Sequence, residues 1–330
     1  MLYLTVMTGN QFVYRRLQRI GGGSLFISLP REWVLSKGLK KGSLVSIEVA
    51  FDGSLIIRGG TPPAATVPRT VRIEGTSLNE EEVGLKLQRA YISGTEIVDI
   101  SMHPEVSAQF RNRVRKEVEV LPGLELADEG DSFMTYRFLL DMTSMKPDQI
   151  LRRMSVVSSV IYLSALREMT GEGVPQEGVG QKVSDLMKLY NLGFRLLNAC
   201  SKNPSLSAEL GVPGEFAIDY LFALYNLKRI GEVGEEIHKA IRKGFARHPP
   251  AGADLANKFR VVQDMTVLSI VSGGKDSYQA LSQAQALMHE VENSITLGSD
   301  GVGAGVVVLC LLYEIARSLR DIAVSATMLT

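Results

Sequence analysis

Hydrophobic and polar positions along this 330-residue chain change their period twice, near residue 60 and again near residue 145. Before the first change, short apolar stretches alternate with polar positions, as in strands, and beyond the second, apolar residues recur every three to four positions, as in helices. The stretch between them mixes both patterns. We therefore predict a multidomain α+β protein, with a β-rich module over residues 10–60, a small α/β unit over 67–142 and an all-α bundle over 145–328.

The first module has the predicted order strand, strand, short helix, strand, strand. Residues 24–29 (SLFISL) alternate in strand fashion, Pro30 opens a short helix and Gly38 ends it. A third strand over 44–50 leads to Asp52-Gly53, which is typical of a hairpin turn, and a fourth strand follows. A module of about 45 residues buries little apolar surface alone, so we expect it to dimerise.

The central unit follows a linker by composition, GGTPPAATVP at residues 59–68. Its pattern predicts the order β-α-β-α-β-β, with strands at 70–74 and 95–102 and helices at 78–92 and 104–120. A hairpin at 124–127 and 133–140 completes it. We find no catalytic motif in this unit.

The bundle is predicted as two three-helix repeats, residues 145–246 and 252–328, on either side of the break Arg247-His248-Pro249-Pro250. A weak internal similarity, LKRIGEVGEEI against LYEIARSLRDI, supports the duplication, although core periodicity alone also explains it. The apolar run at 301–313 is shorter than the roughly 20 residues of a membrane span, so we predict a buried helix and no membrane insertion.

Charge separates the N-terminal module from the rest of the chain. The net charge of the chain is zero, but residues 1–66 hold eight cations and three acids, a balance of +5 against −5 elsewhere. This distribution favours local contact with nucleic acid. The alternatives are a solvated strand face or salt bridges to the acidic body. The candidate DNA-binding residues are Arg15, Arg16 and Arg19, followed by Arg31 and Lys37.

Catalytic and metal-binding motifs are scarce. The two cysteines, Cys200 and Cys310, exclude a disulfide framework and a cysteine zinc site. The four histidines have no ligand spacing, and we interpret His238 as a surface residue. With no secretory signal at the start, we predict a cytoplasmic protein that is not an enzyme and has no cofactor.

One segment has a sequence similar to a phosphate-binding loop of enzymes. Residues 272–277, SGGKDS, resemble the phosphate-binding loop of PP-loop ATP pyrophosphatases, in which glycine N–H groups cradle pyrophosphate. That loop follows a strand of a parallel sheet, whereas the pattern here is helical on both sides. The favoured alternative is a turn between helices, with Asp276 or Ser277 as the cap.

The N-terminal module resembles the AbrB/SpoVT/MazE-like swapped-hairpin family. The resemblance lies in GGGSLFISLPREW, GLKKGSLVSIEV and FDGSLIIR and covers nearly the whole module. It implies a homodimer formed by exchanged hairpins, with arginines of the first strand presented to DNA. Val34 and Leu35 are apolar where AbrB-type regulators carry a basic pair at the end of the short helix.

The order of the modules resembles that of archaeal PhoU-type phosphate uptake regulators. The blocks LLDMTSMKPDQILRRM and NLKRIGEVGEEIHKAI carry the resemblance, which spans about residues 12–325. PhoU bundles often bind metal through an acid-x-x-x-acid motif on the third helix of each repeat. The matching positions are Lys228 and Glu232 in one repeat and Tyr313 and Arg317 in the other, so the motif is degenerate and we predict no metal site.

These features lead to one leading hypothesis and two alternatives. The leading hypothesis is a non-enzymatic, dimeric, DNA-binding regulator of phosphate uptake whose PhoU-like bundle senses a signal or docks onto phosphate-transport or signalling proteins. The first alternative is a protein-interaction adaptor in which the AbrB-like module only dimerises. The second is an ATP-binding enzyme that uses the SGGKDS loop.

Overall fold

The computed structural model describes residues 14–20, 24–49, 53–60, 68–75, 80–103, 105–170, 178–212, 216–244, 253–297 and 305–329. The chain forms two compact units, Met1–Val67 and Pro68–Thr330. Four predicted features lie outside the described residues: the turn at 21–23, Asp52, most of the linker and the break at 247–250. The predicted boundaries between three domains stay a prediction.

The first unit contains two separate two-stranded sheets and one short helix. Strands β1 (Gln18–Ile20) and β2 (Ser24–Phe26) pair antiparallel, and α1 (Arg31–Ser36) follows them. Strands β3 (Val45–Val49) and β4 (Leu55–Gly59) form the second antiparallel pair. The predicted order of elements is confirmed, and the first two strands are shorter than predicted.

The second unit begins with a four-stranded sheet covered on one face by two helices. The strands are β5 (Thr70–Glu74), β6 (Ile97–Ser101), β7 (Leu124–Gly130) and β8 (Phe133–Phe138), in the order β5-β6-β8-β7, with only β5 and β6 parallel. Helices α2 (Glu80–Ile92) and α3 (Ala108–Val118) supply Leu87 and Phe110 to the core. The predicted order of elements is confirmed. Alternate residues of β5, β6 and β8 are buried beneath these helices.

From residue 147 onward, most of the residues that the structure describes are helical, and they pack as two trios of long helices. The first trio is α4 (Pro147–Thr170), α5 (Val179–Cys200) and α7 (Ala217–Arg242), and a short α6 (Pro204–Leu210) follows α5. The second is α8 (Ala253–Val271), α9 (Ser277–Leu297) and α10 (Gly305–Ala326). Helix α7 lies against α10, and α4 against α8, so a single core joins the trios.

The apolar periodicity of α10 identifies its buried face correctly. Five positions with helical spacing are predicted to face the core, and all five are fully buried: Val308, Leu312, Ile315, Leu319 and Ile322. The apolar run predicted as a buried helix thus enters the core from Gly305 onward. Among the described helices, none combines the length and apolar character that crossing a membrane requires.

Polar side chains of α5 bind the sheet to the bundle. The buried Arg195 donates from one nitrogen to the carbonyls of Tyr91, at 2.6 Å, and Thr95, at 3.0 Å, and its guanidinium lies 3.6 Å from the centre of the Phe138 ring. Asn191 and Asn198, about one turn away on either side, donate to further backbone carbonyls of the α/β part. Burial lowers the pKa of Arg195, and these acceptors compensate the lost solvation of its charge.

Two helical glycines provide a matched test of the packing between α4 and α7. A Cβ atom at Gly234 would lie 2.8 Å from Ile161 Cγ2 and 3.0 Å from the backbone nitrogen of Tyr162, whereas a Cβ at Gly180 would meet nothing within 4 Å. Gly234→Ala is therefore expected to lower the free energy of unfolding by about 1–3 kcal/mol. Gly180→Ala should raise it by roughly 0.4–1 kcal/mol. Urea unfolding followed by circular dichroism measures both, and equal effects would contradict the close α4–α7 contact.

Candidate nucleic-acid interface

The five candidate DNA-binding residues all have exposed side chains in the first unit. Arg15 and Arg16 precede β1 and Arg19 lies within it, so these three belong to one extended segment. Arg31 is the first residue of α1 and Lys37 caps its end. A rise of 1.5 Å per residue places these two roughly 9 Å apart along the helix. The structure thus groups the three arginines along the chain and separates the other two.

These cations have few protein partners. Within the described part of the first unit, none of the five forms an ion pair, and Arg15 makes one weak bond, from a guanidinium nitrogen to the Tyr14 carbonyl at 3.3 Å. Several cations of the second unit, in contrast, lie close to carboxylates, as in the pair Lys258–Glu290 at 2.9 Å. Exposed guanidinium groups without a carboxylate are available to phosphate oxygens.

The end of helix α1 is fixed by backbone geometry and packing. Gly38 adopts a left-handed conformation (φ 65°), its N–H donates to the Leu35 carbonyl, and the Leu39 N–H donates to the Val34 carbonyl. This is a Schellman motif, which explains why the helix stops where the sequence predicts. Lys37 and Leu39 lie against Gly59 of β4, so the end of α1 packs on the second hairpin.

Apolar side chains of this unit are mostly exposed or half-buried. Among the residues of the first unit whose side chains are described, none is fully buried, and Trp33 is only partly covered. Large apolar residues on both hairpins and near them are 62–67% exposed, and they are Leu17, Leu25, Leu44, Ile47 and Leu55. Exposed large apolar residues of this kind mark interaction surfaces.

One pair of degenerate metal-motif positions forms an ion pair. Lys228 Nζ lies 2.7 Å from Glu232 Oε1, so the remaining carboxylate of the motif is bound to a cation. Tyr313 is partly buried and Arg317 is exposed. Among the described residues, no group of three or more His, Cys, Asp or Glu side chains is arranged to hold a metal ion.

A second cation in this region was not foreseen from the sequence. Arg229 lies between three carboxylates, at 2.6 Å from Glu314 on α10, 3.3 Å from Glu236 and 3.8 Å from Glu232. Its hydrogen bond to Glu314 raises its pKa against the effect of burial. The guanidinium thus occupies the centre of the acidic cluster and links α7 to α10.

The interpretation of His238 as a surface residue is wrong. His238 is buried on α7, with Nδ1 3.0 Å from Glu168, and with Nε2 3.0 Å from Ser164 Oγ and 3.1 Å from the Ile161 carbonyl. The Ser164 hydroxyl itself donates to the Ile161 carbonyl. His238 therefore joins α7 to α4 through contacts with three residues of α4.

The SGGKDS segment forms the turn between α8 and α9, which confirms the predicted turn, whereas Ser277, one of the two predicted caps, has a buried hydroxyl without a hydrogen-bond partner. Gly273 and Gly274 are left-handed, and their N–H groups donate to the carbonyls of Ile270 and Ser269 at the end of α8. The Ser277 N–H bonds to the Gly274 carbonyl. These amides are committed to closing the helix and turning the chain, so they are not free to cradle phosphate.

This geometry predicts that the loop does not bind ATP. Isothermal titration of the full chain with Mg-ATP is expected to give a flat trace, because three of the amides that would cradle phosphate are already bonded. Saturable heat that disappears in the variant Lys275→Ala would contradict this prediction and revive the nucleotide-binding alternative.

Comparison with known proteins gives a family match for one part of the chain. No curated protein and no solved structure matches the chain. Residues 18–68 match the family described as antidote-toxin recognition MazE, bacterial antitoxin. The match begins at β1 and extends past β4, so it includes Arg19, Arg31 and Lys37, while Arg15 and Arg16 lie just before it. The first unit of this α+β chain contains a MazE-type domain.

Proposed function

We propose that this protein is a dimeric DNA-binding regulator whose N-terminal module contacts DNA and whose helical part receives a signal or a partner. The observation that carries the proposal is the conjunction of exposed arginines and exposed apolar hairpins in one MazE-type domain. The apolar surface calls for a second copy, and the arginines then occur twice on one assembly. The module has a net charge of +5, so the pair has about twice that charge facing the phosphate backbone.

The arginines suit both parts of DNA recognition. A guanidinium group binds phosphate oxygens, which fixes orientation, and it donates two hydrogen bonds to the major-groove edge of guanine, which reads sequence. Arg19 lies on β1 opposite Leu25, in the register of the first hairpin. Arg15 and Arg16 extend the same segment toward the N-terminus. We assign contact with DNA to these three and a secondary role to Arg31 and Lys37.

The finer proposal is regulation of phosphate uptake by a protein of the PhoU type. It is supported by the module order and by the two sequence blocks that resemble archaeal PhoU-type regulators. The packing of two helical trios around α7 and α10 agrees with a duplicated bundle. In this proposal the bundle senses a signal or docks onto phosphate-transport or signalling proteins, in the cytoplasm and without catalysis.

A second candidate function is a protein-interaction adaptor whose MazE-type domain serves only to pair two chains. One observation favours it: Val34 and Leu35 stand at the end of α1, and Leu35 is 66% exposed, where a DNA-reading helix would carry cations. Exposed apolar hairpins require pairing in either function. DNA binding therefore separates the two candidates, whereas the oligomeric state does not.

The full chain is expected to sediment as a dimer of about twice its mass of 36.1 kDa at micromolar concentration. The double variant Leu25→Asp and Ile47→Asp places charges on both hairpins and should shift the equilibrium toward monomer by at least tenfold. Leu268→Asp on α8, where the side chain is 50% exposed, is the control and should leave the dimer intact. A wild-type monomer would contradict the proposed pairing.

The variant Arg15→Ala, Arg16→Ala, Arg19→Ala should lose DNA binding in electrophoretic shift and anisotropy measurements. If all six arginines of a dimer contact phosphates, the slope of log affinity against log salt falls in magnitude by about 5. The control Arg152→Ala, Arg153→Ala, Arg242→Ala removes the same charge from exposed positions of the bundle and should keep that slope.

A comparison of two DNA duplexes of equal length tests whether binding depends on the DNA sequence. One is taken from upstream of phosphate-transport genes of the source genome and the other from an unrelated coding region. Preferential binding to the first supports the phosphate assignment. A wild-type dimer that binds neither duplex at low salt would remove the regulatory proposal and leave the adaptor.

A further inference from the structure

Strand β5 forms one edge of the four-stranded sheet, and its outer side carries a regular row of backbone groups. The Gly75 N–H donates to the Ser101 carbonyl of β6 at 2.7 Å, so the odd-numbered residues of this stretch face β6. The residues between them direct their N–H and C=O groups to the free side, and they are Thr70, Arg72 and Glu74. Among the described residues, none bonds to these groups on that side.

The two edges of this sheet differ in how well they can accept another strand. A bulge between Leu126 and Asp128 interrupts the register of β7, and Glu125, Asp128 and Glu129 place three carboxylates on that strand. Bulges and charges on an edge strand oppose pairing with further strands. Strand β5 keeps an unbroken register with β6 over Thr70–Glu74 and carries one charge of each sign. Of the two edges, β5 is therefore the one that can add a neighbour.

The two charges of β5 are spaced so that the strand complements a copy of itself. Ile73 is buried beneath the helices, so Arg72 and Glu74 lie on the open face of the sheet. Both side chains are exposed, and neither forms an ion pair with a described residue. When two copies of β5 pair antiparallel about Ile73, Arg72 of each copy lies opposite Glu74 of the other. Opposite charges on directly opposite residues stabilise an antiparallel pair.

The same register satisfies the backbone of both strands. Directly opposite residues whose N–H and C=O groups point toward the partner strand exchange two hydrogen bonds. Arg72 and Glu74 are residues of this kind, because their backbone groups point to the free side. A register centred on Arg72 would also join backbone groups, but it would place two arginines opposite each other, and like charges there are destabilising. Charge therefore selects the register centred on Ile73.

Strand β5 is the first strand after the module that is proposed to pair. The MazE-type match ends at residue 68, and residues 60–69 separate β4 from β5. A fully extended segment of this length spans at most about 35 Å. When two MazE-type domains associate, each β5 is held within that distance of its own domain, and such tethering raises the local concentration of one strand around the other.

We propose that two copies of the chain pair along β5, antiparallel and centred on Ile73, so that their sheets join into one continuous sheet. This is recognition by β-strand addition. The second copy is the occupant because β5 carries the complement of its own charges and is tethered to the module that pairs. The inference deepens the proposed dimer and rests on it for the nearness of the two strands, while it adds a second interface outside the hairpins.

Disulfide trapping tests the register. One chain carries Arg72→Cys and a second, differently tagged chain carries Glu74→Cys, both with the exposed cysteine removed by Cys310→Ser. Opposite Cα atoms of a hydrogen-bonded antiparallel pair lie about 5.5 Å apart, which a disulfide bond can span. Oxidation of the co-purified mixture should give a mixed cross-linked dimer in at least fivefold higher yield than either chain alone. The control Arg137→Cys, on the interior strand β8, should not cross-link with Glu74→Cys.

Charge reversal provides a second measurement that needs no cysteine. Arg72→Glu places two carboxylates opposite each other and should raise the dissociation constant of the full-chain dimer at least tenfold in sedimentation. Addition of Glu74→Arg exchanges the two charges and should restore that constant to within threefold of the wild type, because each pair is again opposite in charge. The control Arg137→Glu, an exposed position of the same sheet, should change it less than twofold.

Three results would overturn the proposal. The first is the absence of the mixed cross-link, which would leave the edge to a strand of another protein. The second is a cross-link of Arg72→Cys with itself in equal yield, which would show a different register. The third is a dissociation constant that Arg72→Glu leaves unchanged or that the charge exchange fails to restore.

The outcomes also separate this inference from the proposed pairing of the hairpins. If Leu25→Asp, Ile47→Asp gives a monomer and the mixture with intact hairpins shows no mixed cross-link, the hairpins pair and the β5 interface is wrong. If the mixed cross-link persists in that double variant and the dimer is unchanged, the chains pair along β5 and the hairpin proposal is wrong.

Discussion

Burial of apolar surface is the constraint on which this structure depends, and its two units meet it differently. Residues from 68 onward enclose two extensive cores, one under the four-stranded sheet and one shared by both helical trios. In the first unit, none of the residues whose side chains are described is fully buried, and Leu17, Leu25, Leu44 and Leu55 are largely exposed. This exposed apolar surface is the basis of the proposed pairing of two chains.

Charge follows the same division. In the second unit, cations are used in structure: Arg195 donates to backbone carbonyls, and Arg229 neutralises the carboxylates around it. Such groups are too committed to bind an external anion. Arg15, Arg16 and Arg19 have no comparable ion pairs with the residues of their unit that the structure describes. The distinction between structural and available cations gives the DNA proposal more weight than net charge alone provides.

The sequence predicts features that a repeating pattern encodes and misses those that need a specific partner in space. Periodicity identifies the buried face of α10, and Gly38 marks the end of α1, because both depend on neighbours along the chain. His238 was wrongly interpreted as a surface residue. Its neighbours along the chain do not show that Glu168 and Ser164 of α4 contact it across the helix interface. Helix α6 had its own signals, an Asn203 cap, Pro204 and Gly211, which the prediction overlooked. Arg195 and Glu314 find partners about 85 to 100 residues away, beyond the reach of local patterns.

The attachment of α5 to the sheet has an evolutionary consequence. Arg195, Asn191 and Asn198 donate hydrogen bonds to backbone carbonyls of the α/β part. Separating that part from the bundle would leave a buried guanidinium group and several carbonyls without hydrogen-bond partners. Gene rearrangements that exchange modules would thus be tolerated around residue 67, where the two compact units divide, and penalised near residue 142. The segment from residue 68 onward therefore forms one structural unit, in which the α/β part and the bundle depend on each other.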